Sequence, residues 1–101
     1  MAKKGLIQSN MAKQRKVERF AAKRAALKAV VNDKTLNIVE RFNASVKLAQ
    51  LPRSSSKTRV RNRCFFSGRS RAVYSKLGLS RIALREFSSL GLIPGFVKSS
   101  W

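Results

Sequence analysis

The sequence predicts a mainly α-helical chain: two N-terminal helices, an extended basic arm, and a small C-terminal unit ending in a short helix and tail. Three observations predict it. Apolar residues recur every three or four positions through residues 9–32 and again through 35–51, the rhythm of one helical face. A serine- and cation-rich stretch, "PRSSSKTRVRNR", occupies residues 52–63, with Val60 as its one core-type residue. Beyond it Cys64, Ser67, Ser80 and Ala83 fall at the ligand spacing of a zinc knuckle, C-x2-S-x12-S-x2-A. Zinc needs a full tetrahedral set of thiolate or imidazole ligands, and one thiol, two neutral hydroxyls and a methyl group do not supply it. The unit is therefore expected to keep a knuckle layout without metal.

The first helix is read from "SNMAKQRKVERFAAKRAALKAVVN", residues 9–32. Ser9 or Asn10 can cap its start, and Asn32 and Asp33 interrupt the pattern at its end. Val17, Phe20, Leu27 and Val31 form a narrow apolar stripe, broken by Arg24, while Lys13, Arg15, Lys16, Arg19, Lys23 and Lys28 spread over the remaining circumference. A helix so basic suits a place between RNA segments better than an isolated globule. The second helix, "TLNIVERFNASVKLAQL" at 35–51, places Leu36, Val39, Phe42 or Asn43, Val46 and Ala49 or Gln50 on one face before Pro52 stops it. This is the least charged stretch. Its apolar face is expected to pack on the first helix or on another protein.

The arm carries Arg53, Lys57, Arg59, Arg61 and Arg63. Arg59, Arg61 and Arg63 alternate, so an extended backbone would direct all three guanidiniums the same way. Guanidinium forks match phosphate oxygens in pairs. A solvated tether is the alternative reading; the overall charge favours an arm threaded between phosphates. In the C-terminal unit Gly68 and Gly78 bracket "RSRAVYSKL" as turn residues. Ser80 can cap the helix "RIALREFSSL", which stops at Gly91 and Leu92. Leu79, Ile82, Ala83, Phe87 and Leu90 are expected to pack back on Phe65 and Phe66. The organisation is thus a basic helical extension at 1–51, an arm at 52–63 and a knuckle-like unit at 64–101.

Composition narrows the function. Within 101 residues, 23 Lys and Arg face 4 Asp and Glu, a net charge of +19. Such self-repulsion opposes compaction and calls for a polyanion, naturally a nucleic acid whose condensed counterions are released on binding. The cations are dispersed along the chain, unlike those of a membrane-active amphipathic peptide, and no apolar run approaches the roughly 20 residues that span a bilayer. The start, "MAKKGLIQSN", lacks the apolar core of a secretory signal, although the acid-free residues 1–17 leave an organelle transit segment as an alternative. Cys64 stands alone, which excludes an internal disulfide and fits a reducing compartment. Catalysis is excluded on its ingredients. There is no histidine, Glu18, Asp33, Glu40 and Glu86 are scattered, and no glycine-rich phosphate loop occurs. No cofactor and no small-molecule substrate is expected.

"RNRCFFSGRSR", "KLGLSRIALRE" and the ending "GLIPGFVKSSW" resemble, in order from residue 52 to Trp101, the universal family of the fourteenth small-subunit ribosomal protein. The N-terminal half matches more loosely, through its basic helix and the "LPR" that closes the second helix. The length resembles the longer bacterial and organellar branch, which lacks zinc; the shorter branch carries cysteine at all the knuckle positions. Ser70 departs from the pattern where proline usually follows the Gly-Arg pair, and Ser75 where a basic residue is common. The resemblance implies a scaffold in the head of the small ribosomal subunit, bound to the 3′ domain of its ribosomal RNA near the decoding region. It implies the third, tenth and nineteenth small-subunit proteins as neighbours. It implies a cytoplasmic ribosome, with an organelle-matrix ribosome as the alternative. Carried over by motif, Arg61, Asn62, Arg63, Gly68, Arg69, Lys76, Arg81, Arg85, Lys98 and Trp101 are RNA-contact candidates; a salt bridge to Glu86 or aromatic packing is the alternative for Arg85, and a hydrophobic plug against protein the alternative for Trp101. Arg53, Lys57, Arg59, Arg71, Lys13, Arg15, Lys16 and Arg19 join them on charge. A non-ribosomal basic nucleic-acid binder is the competing reading.

Overall fold

A computed structural model describes residues 2–100. Helix α1 runs over Lys4–Asn32 and α2 over Ile38–Gln50; strands β1 (Val73–Tyr74) and β2 (Leu79–Ser80) precede helix α3 (Arg81–Ser89). The mainly helical class is as expected. Contacts group the chain into two compact units, one from Ser9 to Val60 and one joining the residues up to Gln8 with Arg61 onward.

In the first unit α1 and α2 form a helical hairpin. The turn between them is closed by Asp33, whose Oδ1 accepts from the Thr35 amide at 3.0 Å and hydroxyl at 2.7 Å. Those two bonds lower the Asp33 pKa. Arg41 Nε then donates to the Val31 carbonyl at 3.1 Å, which sets a cation on the carbonyl end of α1. Along α1 the half-buried line passes through Val17, Phe20, Leu27 and Val31 as predicted. Arg24 lies on that line and does not interrupt it: its Nη1 donates to Ser55 Oγ at 3.0 Å.

Three expectations are corrected here. The first is the start of α1, which begins at Lys4, ahead of the Ser9 or Asn10 cap, so that Asn10 is a buried residue inside the helix. A cap is worth only about 1 kcal/mol. It is outweighed where Ile7, in the added first turn, presses on Gly68: a Cβ there would lie 2.6 Å from Ile7 Cδ1. The second is the inward face of α2, which is Arg41, Ala44 and Leu48. Val39 and Phe42 are 61% and 66% exposed, with Ile38 and Val46 beside them. The period was legible, but its phase is set by Arg41 reaching Val31 and by the small Ala44. The third is the arm. Arg53–Ser55 and Lys57–Arg59 each curl into a single 3-10 turn, and the backbone extends only from Val60. Ser55, 1% exposed, also donates its hydroxyl to the Pro52 carbonyl, a local bond that turns the chain back on itself.

Candidate nucleic-acid interface

The C-terminal unit is organised around the knuckle positions. Cys64, Ser80 and Ala83 are buried, 3%, 1% and 2% exposed, as is Gly68, and Ser67 is half-buried beside them. The Cys64 amide donates to the Arg69 carbonyl and the Cys64 carbonyl accepts from the Gly68 amide, both at 2.9 Å, which closes the first knuckle turn. Gly68 takes φ +70° there. The second turn is the hairpin itself, with Val73 opposite Ser80 and Tyr74 opposite Leu79. Its tip closes by Gly78 N–H to Tyr74 O at 2.8 Å, and Phe65 N–H donates to Gly78 O at 2.9 Å to join the two turns. Gly78 has φ +65°, a backbone conformation that favours glycine, and a Cβ there would displace the overlying Phe65 ring.

Ser80 performs the predicted cap. Its Oγ accepts from the Ala83 amide at 3.3 Å, and the Arg81 amide donates to Ala72 O at 2.9 Å. At the far end Gly91, φ +72°, donates to Ser88 O at 3.1 Å and Leu92 donates to Phe87 O at 2.9 Å, the paired bonds of a Schellman stop. The expected aromatic core is smaller than predicted. Phe66 meets Phe87 edge-on with ring centroids 5.2 Å apart. Phe65, however, is 87% exposed and Leu90 and Ile82 remain open to solvent. Only small residues at or beside the knuckle positions are fully enclosed, and the larger apolar side chains stay at the surface.

Metal coordination is replaced by hydrogen bonds. Burial pushes the Cys64 thiol up, but the hydroxyl and amide of Ser67 and the amide and hydroxyl of Ser80 favour the thiolate and bring it down to about 6. One sulfur surrounded by donors does not fit zinc. Among the described residues no group of three or more His, Cys, Asp or Glu gathers where a metal ion could sit.

The candidate contact residues fall into two sets. Some guanidiniums buttress the knuckle: Arg61 Nε donates to Ser70 O at 2.9 Å, Arg63 Nη1 to Gly68 O at 2.9 Å, and Arg69 Nε to Arg71 O at 3.2 Å. Ser70, where the family pattern has proline, thus serves through its carbonyl. Arg59 closes a 3-10 turn and does not share the extended run of Arg61 and Arg63. The other set is displayed to solvent, as are Arg59 and Arg61. Asn62, Arg71, Lys76, Arg81, Arg85 and Lys98 are exposed on the C-terminal unit; Arg53, Lys57, Arg15, Lys16 and Arg19 are exposed on the helical unit, where Lys13 is half-buried. Gly68 is buried, and Trp101 lies outside the described residues. Arg24 and Arg41 are structural ties that sequence reasoning missed; the apolar spacing on either side of Arg24 was the available signal.

No helix among the described residues is long and apolar enough to cross a membrane. Residues 47–100 match the family model described as ribosomal protein S14p/S29e. The chain is 61% identical to small ribosomal subunit protein uS14 of Azorhizobium caulinodans and 57% identical to those of Methylorubrum populi and Bartonella henselae, in each case over 100% of both chains. A match over more than half the chain, with full-length relatives at this identity, settles membership: the chain belongs to the ribosomal protein S14p/S29e family.

Proposed function

We propose that the protein is a structural, non-enzymatic constituent of the small ribosomal subunit that binds ribosomal RNA of the 3′ head domain and supports head assembly around the decoding region. One observation carries the RNA reading. The knuckle unit holds itself together through its own serines and arginines, and it still leaves Arg71, Lys76, Arg81, Arg85 and Lys98 exposed with Glu86 as its one carboxylate. Cations not consumed in folding are the ones free to neutralise phosphates.

The three segments divide the work. The knuckle unit at 64–101 and the arm at 52–63 engage RNA, Arg53, Lys57 and Arg59 from the turns and Arg61, Asn62 and Arg63 from the extended run. The extension at 1–51 lays Lys13, Arg15, Lys16 and Arg19 against further phosphates. The exposed Ile38, Val39, Phe42 and Val46 support a protein neighbour, and the third, tenth and nineteenth small-subunit proteins are the proposed ones. The site of action is the cytoplasmic ribosome. Sedimentation of salt-washed extract, followed by footprinting of small-subunit RNA with and without the added chain, tests this. Co-migration with small subunits and protections confined to the 3′ domain are expected. Protections scattered over all domains, or equal binding to any polyanion, would return the chain to a non-specific nucleic-acid binder.

A further inference from the structure

A cavity of about 540 Å³ opens in the C-terminal unit, lined among others by Arg63, Phe66, Arg69, Arg71, Ile82 and Glu86. That volume lies within the range of about 300–1,000 Å³ usual for pockets that take a small organic ligand. Its lining combines two chemistries, three guanidiniums and the apolar side chains of Phe66, Ile82 and Leu6. The aromatic ring is 64% exposed and is held from behind by its edge-on contact with Phe87. Arg63 contributes a second feature. Its Nη1 is committed to the Gly68 carbonyl, whereas its Nε is buried with no hydrogen-bond partner in the described structure. A buried donor left unsatisfied in a native fold asks for a partner, and the same side chain lines this cavity.

We infer that this cavity receives one unstacked nucleotide of the bound RNA, its phosphate against Arg63, Arg69 and Arg71 and its base against Phe66 and the Ile82 wall. Three guanidiniums against the single carboxylate of Glu86 select an anion. The apolar wall selects a ligand with a flat, poorly hydrated face. A nucleotide splayed from a loop or bulge combines both, and unpaired bases stacked on aromatic side chains are a recurring mode of sequence-specific RNA recognition. Glu86, which also lines the cavity, can accept from a base amino group, which a simple phosphate site would not use. The inference rests on the RNA-binding reading and adds to it a preference for unpaired nucleotides.

The test uses the full chain and two synthetic RNA hairpins of equal length, one fully paired and one with a single unpaired nucleotide in the stem. The bulged hairpin should bind about tenfold tighter, the low end of what one base stacked on an aromatic side chain contributes. Phe66→Ala should erase that preference while leaving the affinity for the paired hairpin unchanged. Ile82→Ser, at a half-exposed position of α3 that lines the cavity, should erase it too, and retained helical circular dichroism in either variant separates loss of the pocket from loss of the fold. Equal binding of the two hairpins by the unmodified chain overturns the inference and leaves the cavity to a neighbouring protein's side chain. Parallel losses on both hairpins in the two variants overturn it as well. Failure to bind either hairpin or to co-sediment with small subunits would instead strike the RNA reading itself.

Discussion

The Nη1 of Arg24, midway along α1, donates to the Oγ of Ser55 at 3.0 Å, and the same hydroxyl donates to the Pro52 carbonyl. The charge that breaks the apolar stripe in the sequence is thus the group that pins the following segment. Ser55 is 1% exposed, so neither bond can be replaced freely by water.

Ser55→Ala should therefore loosen the Arg53–Ser55 turn. Losing a buried hydroxyl with two partners is worth about 1–2 kcal/mol, a factor of roughly five to thirty in the local opening equilibrium. The Ser55 and Ser56 amides, which donate to Pro52 O and Arg53 O, report this by hydrogen exchange. Ser56→Ala, which removes only an exposed bond to Thr58, is the comparison and should change exchange far less. Equal effects would deny Arg24 its anchoring role.

What was legible in the sequence followed local rules. The cap at Ser80, the stop at Gly91 and the turns at Gly68 and Gly78 each depend on a few neighbouring residues, and each lies where predicted. Phase and contact were not legible. The period of α2 gave a face, but Arg41 reaching Val31 ten residues back decided which face turned inward. The early start of α1 depends on Ile7 meeting Gly68, far apart in sequence. The spacing of Arg59, Arg61 and Arg63 suggested one row of cations. The hydrogen bonds of Arg61 and Arg63 to Ser70 and Gly68 show that arginines in a basic arm can also serve as internal struts.

The Cys64 thiol, lowered from 9.0 to about 6, makes knuckle stability depend on pH. The folded state binds this proton less tightly than the unfolded chain. The stabilisation is complete above about 9, diminishes as pH falls, and is lost near 6. Between those limits the slope should approach about 1.4 kcal/mol per pH unit. In the folded protein thiolate ultraviolet absorbance should titrate with its midpoint near 6, well below that of an ordinary thiol. Cys64→Ser should flatten the dependence, and an unchanged slope in that variant would assign it to other groups.

The convergence of Cys64 with Ser67 and Ser80, and the burial of Ala83 beside them, indicates that the knuckle frame is intact. Purified protein should carry no stoichiometric zinc, since one thiolate does not hold the ion against water. Ser67→Cys, Ser80→Cys and Ala83→Cys together should create a site that binds one zinc per chain, measured by elemental analysis after dialysis. Zinc on the unmodified chain would refute this account of the interior. The triple variant should also be destabilised when stripped of metal, because the Ser80 cap to Ala83 is lost with the hydroxyl.

The arm and the N-terminal helix offer a test of position against charge. Arg59→Ala, Arg61→Ala and Arg63→Ala together remove three cations, as do Arg15→Ala, Lys16→Ala and Arg19→Ala. If every one of them meets a phosphate, either set should make the slope of log affinity against log salt shallower by roughly two to three units. The internal consequences differ. Arg61 and Arg63 tie down the Ser70 and Gly68 carbonyls, whereas Arg15, Lys16 and Arg19 are exposed on α1. The arm variant should therefore also lose amide protection across residues 67–72 and assemble poorly into subunit heads, while the helix variant should keep that protection and show the milder defect. Restoring charge with Arg61→Lys and Arg63→Lys should recover most of the salt slope but only part of the protection, because an ammonium lacks the guanidinium's planar fork. Equal assembly defects in the two triple variants, with equal protection, would mean that diffuse electrostatic attraction accounts for the arm and that its threading role should be abandoned.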